Sequence, residues 1–126
     1  MQFEQRKYPR YAVEENQIVV MCGSDKGIAT VRDISAGGIK IQYVPLEGKE
    51  SQWNRVNIFS ALCNHFFVEH VDCRTAYDIT SLMEAGTYSG MNVRTSGLCF
   101  SKLTGDQEAA LQRMLKWCAW HRPDDG

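Results

Sequence analysis

A small, mainly β domain is the fold class this sequence predicts: a barrel of five or six short strands with one helix over an opening. Three observations carry it. Residues 17–103 break into short runs rich in β-branched and aromatic residues, separated by glycine and polar clusters. After Leu103 the apolar period changes from alternation to helical spacing. A helix-start signal stands at the point of change.

Each element has its own justification. Residues 1–15 are polar, carry Pro9 and read as an arm or loop, which leaves 16–122 as the barrel and helix of a single domain. Residues 17–22 hold Ile18, Val19, Val20 and Met21 and read as a strand. The cluster at 23–27 is a hairpin signal, and 28–33 is the returning strand. Residues 35–38 make a tight connection into 39–44, the cleanest strand, where Ile39, Ile41 and Tyr43 alternate with Lys40 and Gln42. Residues 45–54 read as a polar loop, and 55–62 and 65–77 as two further strands. Residues 78–95 show no sustained period and are expected to form a long loop, with a helical turn around 81–85. The final strand is expected at 97–103. Thr104 and Gln107 then form a capping box. Ala110, Leu111, Met114, Leu115 and Cys118 follow as a helical stripe fit to pack on the barrel, and Trp117 and Trp120 lie beside it as a second core face.

Composition narrows the function classes. At 126 residues the chain is long enough to bury a core as one domain. Its net charge of −1 is unlike the basic balance of a nucleic-acid-binding domain, so no nucleic acid polymer is expected as a partner. The sequence contains no apolar run of membrane-spanning length and no signal-peptide pattern, so no membrane span is expected and the expected location is cytoplasmic. The five cysteines are odd in number and form no CxxC pair, which suits reduced structural thiols.

Basic character is local. Arg6, Lys7 and Arg10 lie together without an acid among them, on a segment that Pro9 stiffens. About two dozen residues later comes Asp33-Ile34-Ser35-Ala36-Gly37-Gly38, a polar turn between strand-like runs. In this order and separation the two segments resemble the signature of the PilZ family, R-x-x-x-R followed by [D/N]-x-S-x-x-G. The resemblance covers the chain from Arg6 to about Trp120. It implies a six-stranded antiparallel β-barrel with a C-terminal helix, and cyclic di-GMP as the ligand, with no other cofactor.

Cyclic di-GMP carries two phosphodiester charges and two guanines. Arginine offers a planar fork for phosphate oxygens and a face for stacking, so Arg6 and Arg10 match the two motif arginines, with Lys7 as added charge. Asp33 matches the acceptor position and suits the N1–H and N2–H₂ donors of guanine. Ser35 adds a hydroxyl. Gly38 matches the motif glycine, where a missing side chain would let a base or phosphate approach the backbone, and Gly37 is an additional glycine beside it. The implied function is a sensor that orders its N-terminal arm on binding and signals to a downstream protein, as monomer or homodimer, in motility, adhesion or exopolysaccharide control. The alternative is an adaptor with the fold but no nucleotide, acting in a pilus or secretion assembly.

Other constellations carry less. Cys63, His65, His70 and Cys73 suggest zinc ligands, but strand parity sets His70 against the others, so no metal is expected. No nucleophile, P-loop or zinc-protease pattern occurs, so no enzyme activity is expected.

Overall fold

The structure, a computed structural model, describes residues 9–13, 17–22, 27–44, 53–60, 67–82 and 90–120. Its elements are β1 (Tyr11–Ala12), β2 (Ile18–Cys22), β3 (Ile28–Ile34), β4 (Gly38–Tyr43), β5 (Arg55–Ser60), β6 (Phe67–Leu82), β7 (Asn92–Lys102) and α1 (Gly105–Trp120). Six strands pair antiparallel in the order β3-β2-β5-β6-β7-β4, and the β3–β4 pairing closes the barrel. β1 is an additional strand, laid antiparallel on β3. The expected six-stranded barrel with a C-terminal helix is therefore the observed architecture.

Alternation fills the barrel. Ile18 and Val20, Ile39, Ile41 and Tyr43, and Val56 and Ile58 all point inward and are buried. Trp53, in the segment expected to be a polar loop, is instead buried at 4 % exposure. Its ring lies tilted against Tyr43 at 5.2 Å between centroids, so it plugs the barrel beside the end of β4.

The helix lies where its stripe requires. Ala110, Leu111, Met114, Leu115 and Cys118 join the barrel core, and Trp117 packs partly buried against it. The Trp120 side chain lies outside the described residues. Full burial of side chains such as Leu111 and Met114 stabilises the docked helix by about 1.5–3 kcal/mol each. The capping box forms as expected: Thr104 N–H donates to Gln107 Oε1 at 2.8 Å, and Gln107 N–H donates to Thr104 Oγ1 at 3.1 Å.

Gln107 has a second task. Its Nε2 donates to the carbonyls of Glu69 and His70 at 2.8 and 2.9 Å. Those carbonyls are exposed by a bulge in β6, where the register with β5 shifts opposite Asn57. His70 takes φ 55° there, and its N–H donates to Asn57 Oδ1 at 2.8 Å. One side chain thus caps the helix and fastens it to the sheet.

The loop expected over 78–95 is corrected. β6 runs on to Leu82 and β7 begins at Asn92, so beyond Asp72, where its pairing with β5 ends, β6 continues as a ribbon with β7, and the last two pairs pass the end of β4, where Tyr43 pairs with Arg94. Ser81 and Leu82 lie in a strand, not in the helical turn expected there; 83–89 lie outside the described residues. Along the ribbon β6 is exposed from Arg74 to Thr80, with Tyr77, Ile79 and Leu82 among the exposed apolar residues, while Val93 on β7 is fully buried and Asp78 pairs with Arg94. That pair is bidentate, with Arg94 Nε and Nη2 donating to the two carboxylate oxygens at 3.0 and 2.8 Å.

Of the four residues weighed as metal ligands, Cys63 and His65 lie outside the described residues. His70 is exposed, while Cys73 is buried and its thiol donates to the Trp53 carbonyl at 3.0 Å. Among the described residues no three His, Cys, Asp or Glu side chains are placed to hold a metal ion. No helix among them is long and apolar enough to cross a membrane.

Candidate functional site

The two sequence motifs meet through β1. Tyr11 lies opposite Ile34 and Ala12 opposite Asp33. Val13 N–H adds a bond to the Arg32 carbonyl at 2.9 Å. Extending the register one step sets Arg10 opposite Ser35. Tyr11 packs on the core beside buried Ile34, so the alternate residues Arg10 and Ala12 share the outer face with Asp33. This alters the expected arm: its residues 11 and 12 belong to the sheet. Arg6 and Lys7 lie outside the described residues.

A bulge aims Asp33. Along β3, Ala29 and Val31 face inward, and strict alternation would turn Asp33 inward with them. The register with β4 shifts between Val31 and Asp33, so that Arg32 is the extra residue. Asp33 then faces out and Ile34 faces in. Directly opposite on β4, Lys40 reaches Asp33, with Nζ 3.4 Å from Oδ2.

The turn that follows is held by its own residues. Ser35 N–H donates to the Gly38 carbonyl at 2.9 Å. Ser35 Oγ accepts from Gly37 N–H at 3.1 Å and lies 3.4 Å from the Gly38 carbonyl as a donor. The Gly37 carbonyl accepts from Phe100 N–H at 2.9 Å, which ties the turn to β7. A Cβ at Gly38 would overlap the carbonyl oxygen of Leu98 on β7. The space that glycine leaves is therefore filled by a neighbouring strand, not left for a ligand. Ser35 is buried at 8 % exposure, and its hydroxyl is committed to the turn. Of the sequence-singled residues, Arg10 and Asp33 present side chains on the outer face, while Ser35, Gly37 and Gly38 build the turn beneath.

The register adds two residues that motif reading did not single out. Lys40 pairs with Asp33 on one side and with Gly97 on the other. Gly97 pairs in turn with Tyr77, whose ring lies over it where a side chain would stand. Tyr77 keeps 42 % of its surface exposed. The outer face thus reads, across four strands, as acceptor, cation, glycine and aromatic ring. Lys40 was visible as an outward position of a cleanly alternating strand; Tyr77 required the long-range pairing.

A closed six-stranded barrel with a terminal helix, bearing these motifs on paired strands, defines a class of small helix-capped β-barrels. The sequence profile described as PilZ domain matches residues 4–117, and the chain belongs to that family. A search of curated protein sequences finds no match. Among solved structures, the chain resembles the "K. pneumonia MrkH-c-di-GMP complex" with TM-score 0.70 and 12% identity, over 94% of this chain and 53% of that one. It resembles the "PilZ domain with c-di-GMP of YcgR from Escherichia coli" with TM-score 0.67 and 12% identity, over 94% of both chains. It resembles the Bacillus subtilis "Inhibitor of motility (MotI/DgrA)" with TM-score 0.58 and 17% identity, over 94% of this chain and 52% of that one. The chain spans about half the length of MrkH and MotI/DgrA, and nearly all of the YcgR PilZ domain. At these identities the likeness is one of fold.

Proposed function

We propose that this chain is a cyclic di-GMP receptor with no catalytic activity of its own, acting in the cytoplasm. The observation that carries the reading is the β1–β3 pairing, which brings Arg10 beside the Asp33–Gly38 segment on one outer face. Arg10, with Arg6 and Lys7 upstream, supplies cations for the phosphates and a planar face for a base. Asp33 accepts from the guanine N1–H and N2–H₂ groups. Ser35, Gly37 and Gly38 set the position of that acceptor. Solved PilZ structures that carry cyclic di-GMP in their descriptions support the ligand.

In this proposal the arm before Tyr11 closes over the nucleotide, and the barrel of 16–122 serves as its base. The signal leaves by contact with a downstream protein, in control of motility, adhesion or exopolysaccharide. Exposed Tyr77 and Ile79, on one face of β6, give such a partner apolar surface to cover.

One observation favours the second reading, an adaptor without nucleotide. Ser35 and Gly38 are fully used by the fold, so their presence in the sequence would survive loss of binding. Calorimetric titration separates the two. Saturable heat with cyclic di-GMP, and none with GTP or an oligonucleotide, is the expected result. Silence with all three would leave the adaptor.

A further inference from the structure

We propose that the free edge of β6 beyond Asp72 pairs antiparallel with the same edge of a second copy of this chain, joining two barrels about a two-fold axis at Ile79. The proposal stands apart from the nucleotide reading above.

A strand inside a sheet has its N–H and C=O groups bonded on both sides. β6 has strand partners on both sides only up to Asp72, where its pairing with β5 ends. One further bond runs from Cys73 N–H to the Asn54 carbonyl at 3.0 Å. From there to Leu82, among the described residues, β6 pairs with β7 alone. Its residues from Arg74 to Thr80, and Leu82, are exposed, so this stretch lies open to solvent.

Edge strands of monomeric proteins are commonly blunted by lysine, proline, an inward-pointing charge, a bulge or short length. Residues 77–82 contain no lysine, arginine or proline. The bulge falls before them. The register with β7 shifts between Thr75 and Tyr77, then runs without a break from Tyr77 opposite Gly97 to Leu82 opposite Asn92. One charge is present, Asp78, on the inner face opposite Ser96. Arg94 neutralises it with two bonds, at 3.0 and 2.8 Å. The edge is therefore regular, without unpaired charge and rich in β-branched and aromatic residues, a composition that favours strand addition.

The edge is complementary to itself. Opposed residues in an antiparallel pair share a face, so a two-fold axis normal to the sheet passes through one residue position. At Asp78 the axis would set two carboxylates against each other. At Tyr77 it would set Asp78 against the bulged Ala76. At Ile79 it sets the two Ile79 side chains against each other, a β-branched cross-strand pair. Asp78 then meets Thr80 of the second copy, whose hydroxyl can donate to the carboxylate. The outer faces of the two copies become continuous at this seam, and Tyr77 and Ile79 of each form one apolar strip.

Sedimentation of the nucleotide-free chain over a range of concentrations tests the proposal. The parent should pass reversibly from monomer to dimer as concentration rises. Ile79→Lys brings two ammonium groups together at the axis and should stay monomeric over the same range. Ile79 is 56% exposed, so the variant should keep the fold, as circular dichroism would show. Ile79→Cys should form a disulfide-linked dimer on mild oxidation, because directly opposed residues have Cα atoms about 4.5–5.5 Å apart, within disulfide reach. Thr75→Cys lies along the strand beyond that reach and should cross-link no more than the parent, whose own cysteines set the background. A parent that stays monomeric at every concentration overturns the proposal and leaves the edge to a strand of another protein. A dimer that Ile79→Lys leaves intact overturns it as well, since the interface then lies elsewhere. Equal cross-linking of the two cysteine variants, or none by Ile79→Cys, also overturns it.

Discussion

At the scale of single residues, two kinds of position lie side by side in the Asp33–Gly38 segment. Asp33 points out and is free of any task in closing the turn, apart from its ion pair with Lys40. Gly38 is locked against β7, where any Cβ would overlap the Leu98 carbonyl. The expected consequences differ in kind. Asp33→Ala should weaken cyclic di-GMP binding while the thermal midpoint stays near that of the parent, and Asp33→Asn should be milder because the amide oxygen still accepts. Gly38→Ala should cost about 1–3 kcal/mol of stability through overpacking against backbone that cannot turn aside. Denaturant melts of the three variants check this; a fully stable Gly38→Ala would contradict the packing. Arg10→Ala should retain the fold and lose roughly ten- to a hundredfold in affinity. The motif positions were legible from spacing alone. Their division of labour was not, because it depends on Leu98 and Phe100, about 60 residues further along the chain.

At the scale of elements, the helix and its cap were legible because capping is local chemistry over four residues. The clamp of Gln107 on the β6 bulge was not, since Glu69 and His70 lie 38 and 37 residues away. Gln107→Ala removes the cap acceptor and both donor contacts. It should lower stability by about 1–2 kcal/mol, more than Thr104→Ala. Gln107→Glu keeps the cap acceptor and loses the donors, so it should fall between. If Gln107→Ala and Gln107→Glu melt alike, the clamp contributes and the cap does not. The β6–β7 ribbon escaped the sequence for a related reason. Tyr77, Ile79 and Leu82 face solvent, and the register of β6 with its neighbours shifts at three places, two through extra residues on β6 and one through an extra residue on β7. A period-2 pattern read against a core does not register β6 beyond Asp72, where its pairing with β5 has ended and its side chains from Arg74 to Thr80 are exposed.

At the scale of the whole molecule, the barrel interior is closed at the helix by Cys118, whose thiol is buried and pushed up to about 11 by desolvation. The unfolded thiol titrates near its ordinary value of 9.0. Between that value and about 11 the unfolded chain has lost the proton and the folded chain has kept it, so stability should fall as pH rises through this window. Cys118→Ser should flatten that slope, measured by denaturant melts across alkaline pH. An unchanged slope would show that Cys118 is solvated. In the native protein the same thiol should resist alkylation until unfolding. The general shape of the molecule followed from composition and period, since five or six short β-rich runs ending in one amphipathic helix admit few closed arrangements.

The central claim is that cyclic di-GMP sits across the junction of β1 with β3. Amide hydrogen exchange with and without the nucleotide tests it most directly. Val13 is already bonded to Arg32 in the absence of ligand and should exchange slowly in both states. New protection should appear at Arg10 and the residues just before it, and around Asp33–Gly38, while Ile39–Tyr43 changes little. Binding accompanied by protection elsewhere, with residues 6–10 and 33–38 unmoved, would contradict the claim.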